Sequence, residues 1–361
     1  MKGNKELPPC FVVDTTPARE GVVQRYGPIP APLTFYATFD VSSLCSYIPH
    51  DTAVLLPASS WQRTGLKKPV LPASVTQRGA DSGGFVASRI WGEYRYTLAQ
   101  YVGWLASWQP QWAATMDYCC ERELSLVTRE RQEKTTQNAW QAWRAYRSAS
   151  WAWVPTVQGF APDEYRRHAH ELAPLLCEMQ AQYRDNPHWR VGIGTLCRRD
   201  DVVMVQRIVD AVRAVLPGIP LHLWGIKLDA LRSIDLAQVI STDSAVWHGA
   251  MYARDALARA ARERGMSMRA YQVMVNLPAY RAKVADAVRE SAHVMETQRD
   301  ASILAQARAV LSVGGWTLQI RTRRNRLYAY GARRVGKRVE QRYVCPVSQL
   351  EAWLASGRCV A

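Results

Sequence analysis

Three acids stand out because each directly follows a short apolar or β-rich run. They are Asp81 in Asp81-Ser82-Gly83-Gly84-Phe85, Asp117 in Met116-Asp117-Tyr118-Cys119 and Asp243 in Ser241-Thr242-Asp243-Ser244. Other runs end at Val157-Gln158-Gly159, Val191-Gly192-Ile193-Gly194 and His222-Leu223-Trp224-Gly225. Carboxylates brought together can divide nucleophilic from acid/base work. Each feature has a plainer reading when taken alone. An aspartate after a strand commonly caps the next helix, and Ser-Gly-Gly is commonly a turn. The set acquires chemical meaning only if the runs are strands whose C-terminal ends meet at one mouth.

The elements needed to do this are legible. Candidate strands are Leu33–Phe39, Ala53–Pro57, Val75–Arg78, Ala113–Met116, Trp153–Val157, Arg190–Ile193, Leu221–Trp224 and Val239–Thr242. Helical stretches separate them: Thr97–Trp108, Arg122–Ala149, Pro162–Tyr183, Asp201–Leu216, Ala250–Arg264 and Tyr280–Leu311. Strands alternating with helices predict βαβ units and a parallel sheet. A chain of 361 residues suits one barrel of roughly 250 residues with additions. The expected fold is α/β, a (β/α)8 TIM barrel with a small basic C-terminal β-β-β-α appendage. Residues 1–32 are read as an N-terminal extension, 33–312 as the barrel and 313–361 as the appendage. In such a barrel the strand ends would ring one mouth with three acids, an amide and several glycines.

Composition narrows the setting. Hydrophobic residues make up 48%, enough for a large core, and no apolar run approaches the roughly 18 residues of a membrane span. Met1 to Cys10 carries Lys2, Lys5, Glu6 and two prolines with no apolar stretch behind it, so a soluble cytoplasmic protein is expected. The eight cysteines form no Cys-x-x-Cys pair and are read as reduced thiols. Net charge is +15, which implies an anionic partner, nucleic acid first. The segment from Trp316 onward holds a net +8 of this. Its Arg321, Arg323, Arg324, Arg326, Arg333, Arg334, Lys337 and Arg338 are candidate phosphate contacts. Tyr328, Tyr330 and Tyr343 in that segment are read as core or as contacts, with core favoured. Trp104, Trp108, Trp140 and Trp143 lie at helical spacing and are read as packing. His168 and His170 cannot share a helix face, so they are not read as metal ligands.

Asp81-Ser82-Gly83-Gly84-Phe85 resembles the hallmark of the tRNA-guanine transglycosylase superfamily, and the motifs around Asp117, Gln158, Gly192–Gly194, Trp224-Gly225 and Asp243 follow in that family's order. The match spans roughly residues 33 to 250. The resemblance implies a base-exchange pentosyltransferase. Asp243 would attack C1′ of a guanine nucleotide and hold the sugar as a glycosyl-enzyme. Asp81 would handle the proton of the leaving and incoming base. Asp117 would accept hydrogen bonds from the guanine-like edge, with Ser82, Gln158, Gly192, Gly194, Trp224 and Gly225 completing the base slot. Two acids suit the task because breaking an N-glycosidic bond builds oxocarbenium character, which one carboxylate traps while the other manages protons.

Departures from the family pattern point away from tRNA. The family's Cys-x-Cys-x-x-Cys run plus His after the eighth strand is missing, since no cysteine lies between Cys197 and Cys345, and His248 or His293 alone cannot replace it. No structural zinc and no cofactor are therefore expected. Ala245-Val246-Trp247-His248-Gly249 stands where the tRNA enzymes carry a basic loop, and Val86 where they commonly show Gln. The chain is most similar to the DpdA-type branch, which inserts 7-deazaguanines such as 7-cyano-7-deazaguanine (preQ0) into DNA in bacterial islands and phages. Expected partners are DNA, with tRNA as the alternative, a 7-deazaguanine free base, and a second copy of the chain as a further candidate. A tRNA enzyme, a base-excising glycosylase and an inactive nucleic-acid-binding barrel are the competing readings.

Overall fold

The computed structural model describes residues 33–40, 48–63, 65, 68–121, 123, 127–248, 250–313, 315–323, 326–335 and 338–356. The expected extension 1–32, Arg324 and Lys337 lie outside these residues, and of Arg323 and Arg326 only the backbone is described.

Nine strands form one sheet: β1 (Thr34–Thr38), β2 (Thr52–Pro57), β3 (Val75–Asp81), β4 (Trp112–Ala114), β5 (Ala152–Val154), β6 (Thr156–Val157), β7 (Val191–Ile193), β8 (Leu221–Leu223) and β9 (Val239–Ser244). Their order is β5-β4-β3-β2-β1-β9-β8-β7-β6, and every pairing is parallel. β5 and β6 are one stave, read from the sequence as the single run Trp153–Val157, interrupted at Pro155. Proline has no N–H to give to a ladder. Pairing passes across it instead: Thr115 N–H donates to Val154 O at 3.0 Å on one side and Gly192 N–H to Pro155 O at 2.8 Å on the other. The sheet thus turns back on itself as an eight-stave, nearly closed TIM-type barrel.

Helices lie between the strands where the apolar periodicity places them. Leu98–Trp108 starts with a capping box of Thr97 and Gln100. Pro162–Tyr183 has Pro162, Asp163 and Glu164 in its first turn, and Val202–Arg213 is capped by the Asp201 side chain. Trp104, Trp108 and Trp143 are buried in the core, with Trp140 half-buried against it. Sheets covered by helices must be apolar on both faces, and β2 is buried along nearly its whole length.

Aromatic rings meet among the inner residues of the strands. Tyr36 and Trp112 meet edge to face at 5.1 Å, and His222 lies 5.2 Å from Trp112. Buried Arg190 sits 5.2 Å from the Trp112 ring centre and 5.7 Å from that of Tyr36. Ring faces partly replace the hydration that the guanidinium gives up there.

By its internal contacts the chain divides after Ser291, and the second unit starts at Ala292. The boundary drawn from sequence, 312/313, followed the end of the helix Leu277–Val313. The second unit claims the greater part of that helix because Ile303, Leu304 and Ala307 pack with Ala329, Cys345 and Leu350 in a small core of their own. Its sheet runs β10 (Thr317–Arg323), β11 (Arg326–Val335), β12 (Arg338–Pro346), all antiparallel, followed by the helix Leu350–Ala355. One sequence reading changes here. Tyr343 is 55% exposed rather than core. Arg333 is engaged within the unit, 4.4 Å from the Trp316 ring centre and 2.8 Å from Glu340 Oε2. No helix among the described residues is long and apolar enough to cross a membrane.

Candidate active site

Asp243 ends β9 next to β1, where Tyr36 is its register partner. It is 9% exposed, and three donors converge on it. Gly225 N–H donates to Oδ1 at 2.8 Å, Thr38 Oγ to Oδ2 at 3.0 Å, and His222 Nε2 lies 3.3 Å from Oδ1. The proton on His222 can be assigned from what stands behind it. Arg190 Nη1 donates to Ser241 Oγ at 2.7 Å, since a guanidinium has no acceptor. Because the Asp243 carboxylate in front of the ring can only accept, Nε2 carries the proton of a neutral ring and Nδ1 behind it accepts the Ser241 hydroxyl proton, 2.8 Å away. Burial holds the His222 ring below its ordinary pKa and therefore neutral. Its one proton sits on Nε2 and points at Asp243. A chain Arg190–Ser241–His222 thus fixes tautomer and orientation, the arrangement that positions a carboxylate for attack.

Asp117 follows β4 and is buried. Ser82 Oγ donates to its Oδ1 at 2.7 Å and Gln158 Nε2 to its Oδ2 at 2.5 Å. The Tyr94 hydroxyl clasps its backbone, accepting from Asp117 N–H at 2.9 Å and donating to Asp117 O at 2.7 Å. Burial raises the Asp117 pKa against these donors. Gln158 is pinned in turn. Thr195 Oγ1 donates to its Oε1 at 2.6 Å, and its N–H donates at 2.8 Å to Nδ1 of His168, a buried ring held neutral. Thr195 takes φ of +55°, rare for a β-branched residue, and its Oγ1 also receives the Cys120 N–H at 2.9 Å. Gly194 is obligatory beside this network, because a β-carbon there would run into the Gln158 amide. Gly192 faces the Trp224 indole in the same way.

Asp81 ends β3 opposite Pro57. Its Oδ1 accepts the Gly83 N–H at 3.0 Å, with Gly83 at φ +79° in the left-handed region that glycine tolerates. Burial pushes the Asp81 carboxyl up to about 7, helped by the negative charge of Asp117 and, more weakly, of Asp243. A carboxyl near 7 both gives and takes a proton at neutral pH.

The structure therefore brings together Asp81, Ser82, Asp117, Gln158, Gly192, Gly194, Trp224, Gly225 and Asp243 at the strand ends. The helix-cap reading fails for Asp117 and Asp243, whose partners come from other strands and loops. Asp81 does make a local turn bond. Sequence reasoning missed Thr38, Tyr94, Arg190, Thr195, His222 and Ser241. The signal available for His222 was its place as the lone polar residue of the buried strand Leu221–Leu223, which must point inward. A cleft of about 440 Å³ lined by Glu121, Phe160, Thr195, Arg198, Arg199 and Met204 adjoins this network through Thr195. A smaller, more apolar hollow of about 230 Å³ between Trp61 and Trp104 involves none of these groups.

A family model, DpdA (DeoxyPurine in DNA protein A), matches residues 49–312. The chain belongs to the DpdA family. Comparison with curated proteins finds no match. The DpdA match covers every acid and base-slot residue described above. Within it, Cys119 and Cys120 are buried beside Asp117, and burial raises both thiols, so they are held protonated as packing groups. Among the described residues, no group of three or more His, Cys, Asp or Glu is arranged to hold a metal ion.

Proposed function

We propose that this DpdA-family chain exchanges guanine in DNA for a 7-deazaguanine base through a covalent glycosyl-aspartate. Asp243 attacks C1′ as the C1′–N9 bond breaks, and the departing guanine takes the bonding pair and a proton from Asp81. The incoming 7-deazaguanine gives its N9 proton to Asp81, its nitrogen bonds C1′, and Asp243 leaves as the carboxylate. Atoms and charge balance with no cofactor. Ser82, Asp117, Gln158 and the Gly192–Gly194 backbone hold the flat base by its polar edge, with Trp224 and Gly225 bordering the slot.

The observation that carries this reading is the contrast between two acids. Asp81 is pushed up to about 7, whereas Asp243 is aimed by three donors, one of them a neutral histidine. Pairs of titratable groups in divergent environments mark acid/base and nucleophile assignments. The buried acids cannot reach a stacked base, so the nucleotide must leave the duplex.

The test is nucleoside mass spectrometry on DNA and tRNA incubated with the protein and 7-cyano-7-deazaguanine, for the parent and Asp243→Asn. The modified nucleoside should appear in DNA only with the parent, and peptide mapping should find the sugar adduct on Asp243. An adduct on Asp81 reverses the two roles. Modification of tRNA alone, or abasic sites without insertion, overturns the proposal.

A further inference from the structure

We infer that the open face of the C-terminal sheet is a stacking platform for an unpaired stretch of DNA. Strand register decides which residues share that face. Gln319 and Arg321 of β10 pair with Tyr330 and Tyr328 of β11. Tyr330 and Arg334 pair with Tyr343 and Val339 of β12, across an irregularity at Ala329/Tyr330 that leaves Val344 unpaired. Side chains alternate across a sheet, so these groups stand together. The opposite face carries Leu318, Ala329 and Cys345 into the small core, and Arg333 and Arg342 over Trp316. The unit's own packing therefore uses only one side.

The unused side has a distinctive chemistry. Tyr343 lies 5.6 Å from Tyr330 and 6.1 Å from Tyr328, so the three rings form one cluster. The Arg321 guanidinium stands 5.8 Å from the Tyr330 ring centre. Val339 and Tyr343 are 62% and 55% exposed, a cost in apolar surface that packing within the unit does not offset. No carboxylate stands among the described residues of this face; Glu340 is turned to the other side, against Arg333. Positive charge beside open aromatic rings is complementary to a strand that offers phosphates and bases together. A surface meant for duplex phosphates alone would need the arginines but not the rings, because paired bases bury their faces. The inference rests on DNA being the polymer and not on the exchange chemistry, although extruding a nucleotide would leave unpaired bases nearby.

The test uses the full chain, with fluorescent oligothymidylate, a DNA duplex and oligouridylate of equal length, over a range of salt. Tyr343→Ala should weaken oligothymidylate binding about 5- to 100-fold, the effect of losing one stacked base, with the salt slope unchanged. Tyr343→Phe should restore it, and duplex binding should move little with either. Arg321→Gln should lower the salt slope by about 0.7. Photocrosslinking of 5-iododeoxyuridine strands to the unaltered protein should label Tyr343 or Tyr330, a readout independent of any variant's folding. Crosslinks elsewhere, or equal binding by Tyr343→Ala and the parent, would overturn the inference. A tyrosine-dependent preference for oligouridylate would make the face an RNA surface and overturn it too. Loss of exchange activity with these results intact would count against the proposed function alone.

Discussion

Replacing Asp81 by asparagine should make the protein more stable at alkaline pH while stopping its chemistry. In the fold this carboxyl is pushed from 3.8 to about 7, first by burial and then by Asp117 and Asp243, against the Gly83 N–H. A carboxyl with a raised pKa binds more protons folded than unfolded across that interval. Stability is therefore lost as pH rises from about 4 to about 7 and is level above. At ~1.36 kcal/mol per pH unit the whole interval is worth roughly 4 kcal/mol, of which about 1.6 is already spent at pH 5. The remainder, about 2.7 kcal/mol between pH 5 and pH 8, is an upper figure. Solvent at the open side of Asp81 and relaxation around the three acids reduce it to about 1–3 kcal/mol. Asparagine keeps the shape and can still accept the Gly83 N–H, but it has no charge to desolvate. Urea titrations at pH 5 and pH 8 should show Asp81→Asn gaining about 1–3 kcal/mol over the parent at pH 8 and distinctly less at pH 5. Exchange should fall by orders of magnitude in the same variant. A midpoint lowered equally at both pH values would mean that Asp81 is a turn-forming cap for Gly83, and the acid/base assignment would go with it.

His222→Phe should leave the fold intact and slow turnover about 10- to 100-fold, the loss of one charge-assisted bond to Asp243, as read from single-turnover rates. An unchanged rate would show that Gly225 and Thr38 suffice. Because burial lowers the His222 pKa, the acid limb of the parent's kcat/KM profile should lie below the ordinary histidine range and not reappear in this variant. Gly194→Ala should displace the Gln158 amide, costing about 1–3 kcal/mol of overpacking and raising KM for the free base; a KM equal to the parent's would contradict the proposed base slot. Elemental analysis should find zinc well below one per chain, because the superfamily's cysteine run is missing after β9; stoichiometric zinc whose chelation unfolds the protein would refute this.

The barrel was legible because its signals are local. Each apolar run, each N-terminal cap and the Pro162-Asp163-Glu164 helix start is written within a few residues, and the eight candidate runs coincide with the staves to within a residue or two at most ends. The acids were legible because a strand's C-terminal end is a sequence position. Their environments were not. The donors to Asp243 come from β1, β8 and the turn after β8, and the charge that raises Asp81 comes from Asp117 and Asp243, all distant in sequence. Pro155 reads as an ordinary break in a run, yet it marks where the sheet turns from β4 to β7, which depends on which strands become neighbours. In the tail, alternation announced a sheet, but the side that faces its helix depends on register and on the irregularity at Ala329/Tyr330. For that reason Tyr343 reads as core in the sequence and stands in solvent in the fold. Residue type and spacing determined which groups this protein carries and along which strands. Only tertiary structure decided their protonation, their partners and the side they show, because desolvation and charge act through space and not along the chain.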